Sequence, residues 1–506
     1  MPKASRVRYS STAPFVDDVQ VNRVQALGSS SRLTTEDMKE LGTLNIVEIV
    51  DDVPQVDVSL DTNENGTNEA IALLSNKGYG LNVVAVPNGN AVSSTSIQVL
   101  PGSYFAKGQR IRYAGGTLTV ASGNTVVYAQ PEVTGSQVAV GSSVPAGAVK
   151  LADITVTAGV VAQSAIVDQR AFKDITQDDF ELAKVDIFVP VKQSGDGTNS
   201  VARTMYMERV YANSIDFGFQ VNGVASASYR LETDNKRWFL NNSAQIVVDE
   251  FKTSATPTLT LTQTPNVLAN GNKALKVTKN GVDLVEGAGA NGFTITGTTL
   301  TLGSAPAIGD LVKVRYTSST GGKMFAPVPA LEEPHPELAG GLKEGQIEIY
   351  LVDSNGTVDA TRTTRVQSAR ISLPLQRDQL DELGSSYPYE RPLQLPVNVS
   401  VSLELKDSDL ELMARFAGYS TLTGVNEIAL DDLVKNKGVL VKIYRETDVK
   451  RAKLPAGHPD KYAVKTLYVK NLIPQSEAWD VRVDSDATQS FEFLAHNLKV
   501  SDSITL

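Results

Sequence analysis

Apolar and polar residues alternate with a period of two along most of this chain. Val56-Asp-Val-Ser-Leu60, residues 185–191, Thr294-Ile-Thr296 and residues 397–405 alternate or run with β-branched side chains, and Gly, Asn and Asp separate them. A period of two places successive side chains on opposite faces of a strand, which predicts a mainly β chain. Helical spacing is rare. Thr34-Thr-Glu-Asp37 starts like a capping box and predicts a helix ending at Gly42. Residues 407–416 carry Leu410, Met413 and Phe416 at three-residue spacing and stop before Gly418, which predicts a second helix. A third is expected over 427–434.

The pattern occurs twice. Arg23-Val24-Gln25, Leu33 and Glu40-Leu41-Gly42 return as Arg365-Val366-Gln367, Leu375 and Glu382-Leu383-Gly384, at an offset of 342. Pro54 returns as Pro396, and Val56-Asp-Val-Ser-Leu60 returns as Val399-Ser-Val-Ser-Leu403 at an offset of 343. Thr204, Tyr206, Val221, Ala225, Ser228 and Tyr229 return as Thr466, Tyr468, Val483, Ala487, Ser490 and Phe491 at an offset of 262. Three matches in one order predict an internal duplication. The fall in offset from 343 to 262 gives the first copy an excess of 81 residues, which falls in a Gly/Ser/Thr/Val-rich stretch poor in charge. The expected organisation is a split first copy at 1–75 and 173–250, an inserted β domain at 76–172, a small accessory β domain at 251–325, and a second copy at 326–506.

Composition narrows the class. The chain has 506 residues, enough for about three or four domains. Its 47 basic residues against 57 acidic ones, net −10, argue against general nucleic-acid binding, which needs a surplus of Lys and Arg. It has no Cys, which excludes disulfides, thiolate metal sites and cysteine nucleophiles. Its three histidines, His335, His458 and His496, leave little material for imidazole chemistry. Residues 1–12 are polar and basic with no apolar h-region, which predicts no secretory signal, and no stretch reaches the roughly 18 apolar residues of a membrane helix. A soluble protein made in the cytoplasm is expected.

Four signals carry candidate chemistry. Asp61-Thr-Asn63-Glu-Asn65-Gly66 opens like a calcium loop, but its twelfth position is Ala72 where a bidentate Glu is required, so a polar turn is expected. Gly287-Ala-Gly-Ala-Asn-Gly292 fits G-x-G-x-x-G, yet Phe293-Thr-Ile-Thr296 reads as a strand where a phosphate cradle needs a helix, so a hairpin is expected. Residues 442–470 hold eight basic and three acidic residues. They suit a solvated hairpin or a contact with the acidic surface of another copy. Carboxylates such as Asp51-Asp52 and Asp431-Asp432 form no marked pair, and no G-x-S-x-G elbow is present. No catalytic, cofactor-binding or metal-binding residue is expected.

Arg365-Val-Gln-Ser-Ala-Arg-Ile-Ser372, Pro396 with the strand to Leu405, Trp479-Asp-Val-Arg-Val-Asp484 and Ser490-Phe-Glu-Phe493 resemble the tail tube proteins of tailed bacteriophages. In the first copy the counterpart of the closing strands runs from Phe219 to Tyr229. The two extra stretches resemble accessory domains of tail fibres and tail decorations. The resemblance implies two tandem β-sandwich or barrel domains with short flanking helices. It implies a structural virion protein that self-assembles into stacked rings as the tail tube, with three two-copy chains per pseudo-sixfold ring. The implied partners are further copies of the chain and other tail proteins: tape measure, terminator, baseplate and sheath. Genomic DNA would pass through the lumen without specific binding. A baseplate hub or distal-tail ring, and a host-binding tail fibre, remain alternatives. The copy number per particle separates the first two.

Overall fold

In a computed structural model the chain is mainly β, with several sheets, one of them nearly closed like a barrel. The structure describes residues 12, 14–16, 19–21, 23–32, 35–39, 46–51, 55–63, 79–80, 83–85, 93–99, 102–106, 109–113, 115–131, 137–169, 173–174, 184–192, 201–221, 223–240, 245–319, 346–353, 358, 366–381, 388, 390–406, 411–419, 427–429, 437–444, 453, 463–481 and 487–501.

Sixteen strands among the described residues form one sheet. Its first half contains β1 (Val24–Arg32), β2 (Gln55–Thr62), β3 (Lys184–Lys192), β4 (Val201–Gln220), β5 (Ser226–Thr233) and β6 (Lys236–Leu240). Its second half contains β7 (Val366–Pro374), β8 (Val399–Leu405), β9 (Lys437–Tyr444), β10 (Ala463–Asp480), β11 (Thr488–Ala495) and β12 (Asn497–Ser501). All the pairings within a half are antiparallel. β1 pairs β2, β2 pairs β5, β5 pairs β4, and β4 also pairs β3 and β6. The second half repeats each of these, strand for strand.

The register repeats as well. Leu27 faces Leu60 and Ala369 faces Leu403; Thr233 faces Val56 and Ala495 faces Val399. Irregularities recur between Val24 and Ala26 and between Val366 and Ser368, and again between Ala212 and Ser214 and between Pro474 and Ser476. Arg209 and Asn471, 262 apart, both take a positive φ. A bulge is a defined register device, so its repetition marks repeated geometry beyond repeated composition. Period-two alternation fills the core: Val56, Val58 and Leu60 of β2, and Val399, Val401, Leu403 and Leu405 of β8, are buried in one cluster that runs through both halves.

Among the described residues there is one α-helix, α1 (Glu411–Phe416). Phe416 packs on Phe493 and Phe491 of β11 at 4.7 and 6.0 Å. Gly418, at φ 91°, ends it in the left-handed conformation that the sequence anticipates. The helix expected after Thr34 is a strand. Thr35–Lys39 pairs antiparallel with Ile46–Asp51. Its capping-box signal is local, and a neighbouring strand overrides it. Of 427–434, residues 427–429 are neither helix nor strand and the remainder lies outside the described residues.

Strands between 79 and 168 form smaller sheets with their own core, including Ile97, Tyr104, Val127 and Val161. Residues 245–318 form a seven-stranded sheet around Val277, Leu300, Val314 and Tyr316. Leu311 of that sheet packs into the core of the 79–168 sheets. Gly287–Gly292 leads into the strand Gly292–Thr296 and not into a helix, as expected, but the connection is not the expected hairpin: that strand pairs parallel with Val282–Glu286, and Gly287, at φ 150°, supplies the backbone conformation that starts the loop between them. No helix among the described residues is long and apolar enough to cross a membrane.

Candidate functional site

The two halves meet edge to edge. β4 pairs antiparallel with β7, Ser214 facing Pro374 through Gln220 facing Ser368. Backbone hydrogen bonds extend the contact at both ends, Leu375 N–H to Asn213 O at 2.6 Å and Val221 N–H to Gln367 O at 2.8 Å. On one face Ile215, Phe217 and Phe219 oppose Leu373, Ile371 and Ala369, and all six are buried. On the other face Arg370 reaches Asp216 at 3.0 Å, and its guanidinium is mostly exposed. The apolar face carries the energy here, because an exposed ion pair contributes little.

A second contact reinforces this seam. The segment 375–394 folds back on itself through bridges Arg377–Leu393 and Leu380–Glu390 and lies against the first half. Buried Arg391 donates to Glu232 Oε1 at 2.7 Å and to Asp234 Oδ1 at 2.7 Å, both on or just beyond β5. Arg209 reaches Asp234 at 3.2 Å, and Asn213 donates to Glu232 at 2.6 Å. Burial alone would lower the Arg391 pKa; Glu232 and Asp234 outweigh it and hold the guanidinium above its ordinary value. Arg377 donates to Ala212 O at 3.2 Å and lies over the Tyr211 ring at 5.0 Å. The sequence reading missed Arg391 and its partners, since nothing local sets these residues apart.

The first half carries the seven-stranded sheet on its outer face. Phe188 stacks on Tyr206 at 4.9 Å, and these pack with Ile246, Val248 and Phe239. Arg315 from the sheet sits over Phe188 at 5.0 Å and pairs with buried Asp186. Burial pushes the Asp186 pKa up, but Lys276, Arg315 and the Arg209 N–H together bring it below the usual carboxylate range. The second half lacks this mount. The positions equivalent to Asp186, Phe188 and Phe239 are Gly438, Leu440 and Ser501, as β9, β10 and β12 register shows.

The candidate chemical motifs converge on no site. Among the described residues no group of three or more His, Asp or Glu could hold a metal ion. Asp61 and Thr62 end β2, and residues 64–66 of the calcium-like loop lie outside the described residues. In the basic segment, Lys442 lies over Tyr350 at 5.2 Å and Lys470 over Tyr468 at 5.5 Å. Lys453 is exposed, and Lys450 and Arg451 lie outside the described residues.

Among the described residues the edges equivalent to the seam are unpaired. Among the described residues no strand pairs the edge of β1 that faces away from β2, nor the edge of Ser476–Trp479 that faces away from β11. These are the counterparts of β7 and of the second part of β4. An arrangement of this kind can extend a sheet from chain to chain; it presents no catalytic geometry among the described residues. No protein-family profile matches the chain, and no curated protein matches it.

Proposed function

We propose that this chain is a structural virion protein that assembles into rings stacked as the tail tube of a tailed bacteriophage, the conduit for genome delivery. One observation carries the reading: the halves join edge to edge through β4 and β7, with Lys173–Asp174 also pairing β12, and among the described residues the counterparts of the β4 and β7 edges are unpaired. A contact used once inside a chain and offered again at both ends is heterologous, and it generates rings when its rotation closes. Three two-copy chains would give a pseudo-sixfold ring with the accessory sheet repeated three times. Pairing every edge also removes the aggregation hazard of open strands. The acidic balance suits a lumen that DNA slides through without being held. The reading assigns no catalytic step, cofactor or metal, and its partners are copies of the chain and other tail proteins.

Purified protein viewed by negative-stain electron microscopy, with native mass of the smallest closed particle, tests this. Three-chain rings that stack into tubes are expected. A chain that stays monomeric at every concentration refutes it. Protein counts in purified particles separate a tube subunit, present in many copies, from a hub or distal-tail ring present in few.

A further inference from the structure

The open edges carry enough information to specify how one chain meets the next. Transferring the β4–β7 register by the offsets 262 and 342 sets Ser476 opposite Arg32, Ala478 opposite Ser30, Trp479 opposite Ser29 and Asp480 opposite Gly28. The irregularities that fix this register are present in both strands, between Val24 and Ala26 and between Pro474 and Ser476. Trp479 and Val481 occupy the positions of Phe217 and Phe219. Inside the chain those two are 0% and 3% exposed; at the open edge Trp479 and Val481 are 62% and 52% exposed. Large apolar groups exposed at the equivalents of buried seam positions indicate a surface that is covered in the assembled state.

The residue sizes agree. Phe217 faces Ile371 in the internal seam, whereas Trp479 would face Ser29, a larger residue against a smaller one. β1 reads Val-Gln-Ala-Leu-Gly-Ser-Ser-Ser-Arg, with its single charge at the last position and neither Lys nor Pro to discourage pairing. The reinforcing segment is duplicated too. Bridges Arg377–Leu393 and Leu380–Glu390 correspond to pairs Thr35–Asp51 and Met38–Glu48 of the hairpin that follows β1. By this equivalence the hairpin would lie on the second half of a neighbour as 375–394 lies on the first. The equivalents of Arg391, Glu232 and Asp234 are Ile49, Leu494 and His496, so the ion-pair network cannot be repeated there.

We propose that β10 of one chain pairs antiparallel with β1 of a second copy, in the register Ser476–Arg32 to Asp480–Gly28, with Trp479 as the anchor. The proposal rests on the ring reading above and adds the strands, register and anchor. Because the chain has no native Cys, engineered cysteines report this contact directly. Directly opposed residues have Cβ atoms about 4.5–5.5 Å apart, within reach of a disulfide after slight adjustment or of a short bifunctional maleimide. A mixture of Ala478→Cys and Ser30→Cys chains should give covalent dimers on oxidation. The double variant in one chain should give a ladder that ends at the closed ring. Ala478→Cys with Ser31→Cys, one residue out of register and on opposite faces, should give at least about tenfold less. Trp479→Ala should weaken association about thirtyfold or more while leaving the monomer folded. Val285→Ala, exposed on the accessory sheet, should leave association unchanged. Rings that form without the 478–30 cross-link, or with equal cross-linking at 478–31, overturn the register and leave the ring reading standing. Chains that never associate overturn both.

Discussion

Replacing Arg391 with Ala tests whether the buried ion-pair network clamps the second half onto the first. The substitution removes a guanidinium that contacts Glu232 and Asp234, each at 2.7 Å, in a site where all three residues are buried. Removing one partner of a buried pair costs about 3–5 kcal/mol, because the remaining charge stays desolvated. Asn213 still donates to Glu232 and Arg209 still reaches Asp234, which puts the cost near the lower end, about 3 kcal/mol. The loss should appear first as opening of 375–394. Its reporters are the amides of Asp378, Leu380 and Gln394, which donate to Pro392, Glu390 and Gln376 at 3.0, 3.0 and 2.8 Å. If they exchange by local opening, about 3 kcal/mol corresponds to roughly a hundredfold faster hydrogen exchange. Arg391→Lys should recover only part, since an ammonium cannot fork across two carboxylates. Arg391→Met combined with Glu232→Gln and Asp234→Asn should recover most of the protection, because no buried charge is left unpaired. Exchange at these amides within about threefold of the parent in Arg391→Ala would refute the reasoning.

Tyr206→Phe should be neutral or stabilising by up to about 1 kcal/mol in thermal melts, because among the described residues the buried hydroxyl has no hydrogen-bond partner and the ring stacking on Phe188 is retained. Asp186 has a folded-state pKa below its unfolded one, so its stabilising contribution is complete above the ordinary carboxylate range and is lost as pH falls through the depressed value. Protection of the Ile246 and Val248 amides should accordingly fall on acidification, and Asp186→Asn should flatten that dependence. Gly438→Ala should destabilise β9 by about 1–3 kcal/mol in denaturant unfolding, since a Cβ there would sit 2.7 Å from the Tyr468 ring and 2.9 Å from the Val469 carbonyl. An unchanged midpoint would show that β9 relaxes away from β10.

The local chain pattern determined the strand content, the alternation of Val56–Leu60 and Val399–Leu403, the strand that follows Gly287–Gly292 and the stop of α1 before Gly418. These depend on side-chain period and backbone freedom within a few residues, which the order of amino acids states directly. The offsets 342, 343 and 262 also carried the equivalence of strands now seen in their register. Tertiary structure decided the rest. Thr35–Lys39 is a strand because Ile46–Asp51 lies beside it, a contact that no capping signal can encode. Phe217 and Trp479 occupy equivalent positions, yet one is buried and the other exposed, because only β4 has β7 for a neighbour within the chain. Arg391 becomes a clamp only when folding brings it to Glu232 and Asp234, more than 150 residues earlier. Edge pairing and charge burial depend on what lies across space, and a linear pattern records only what lies along the chain.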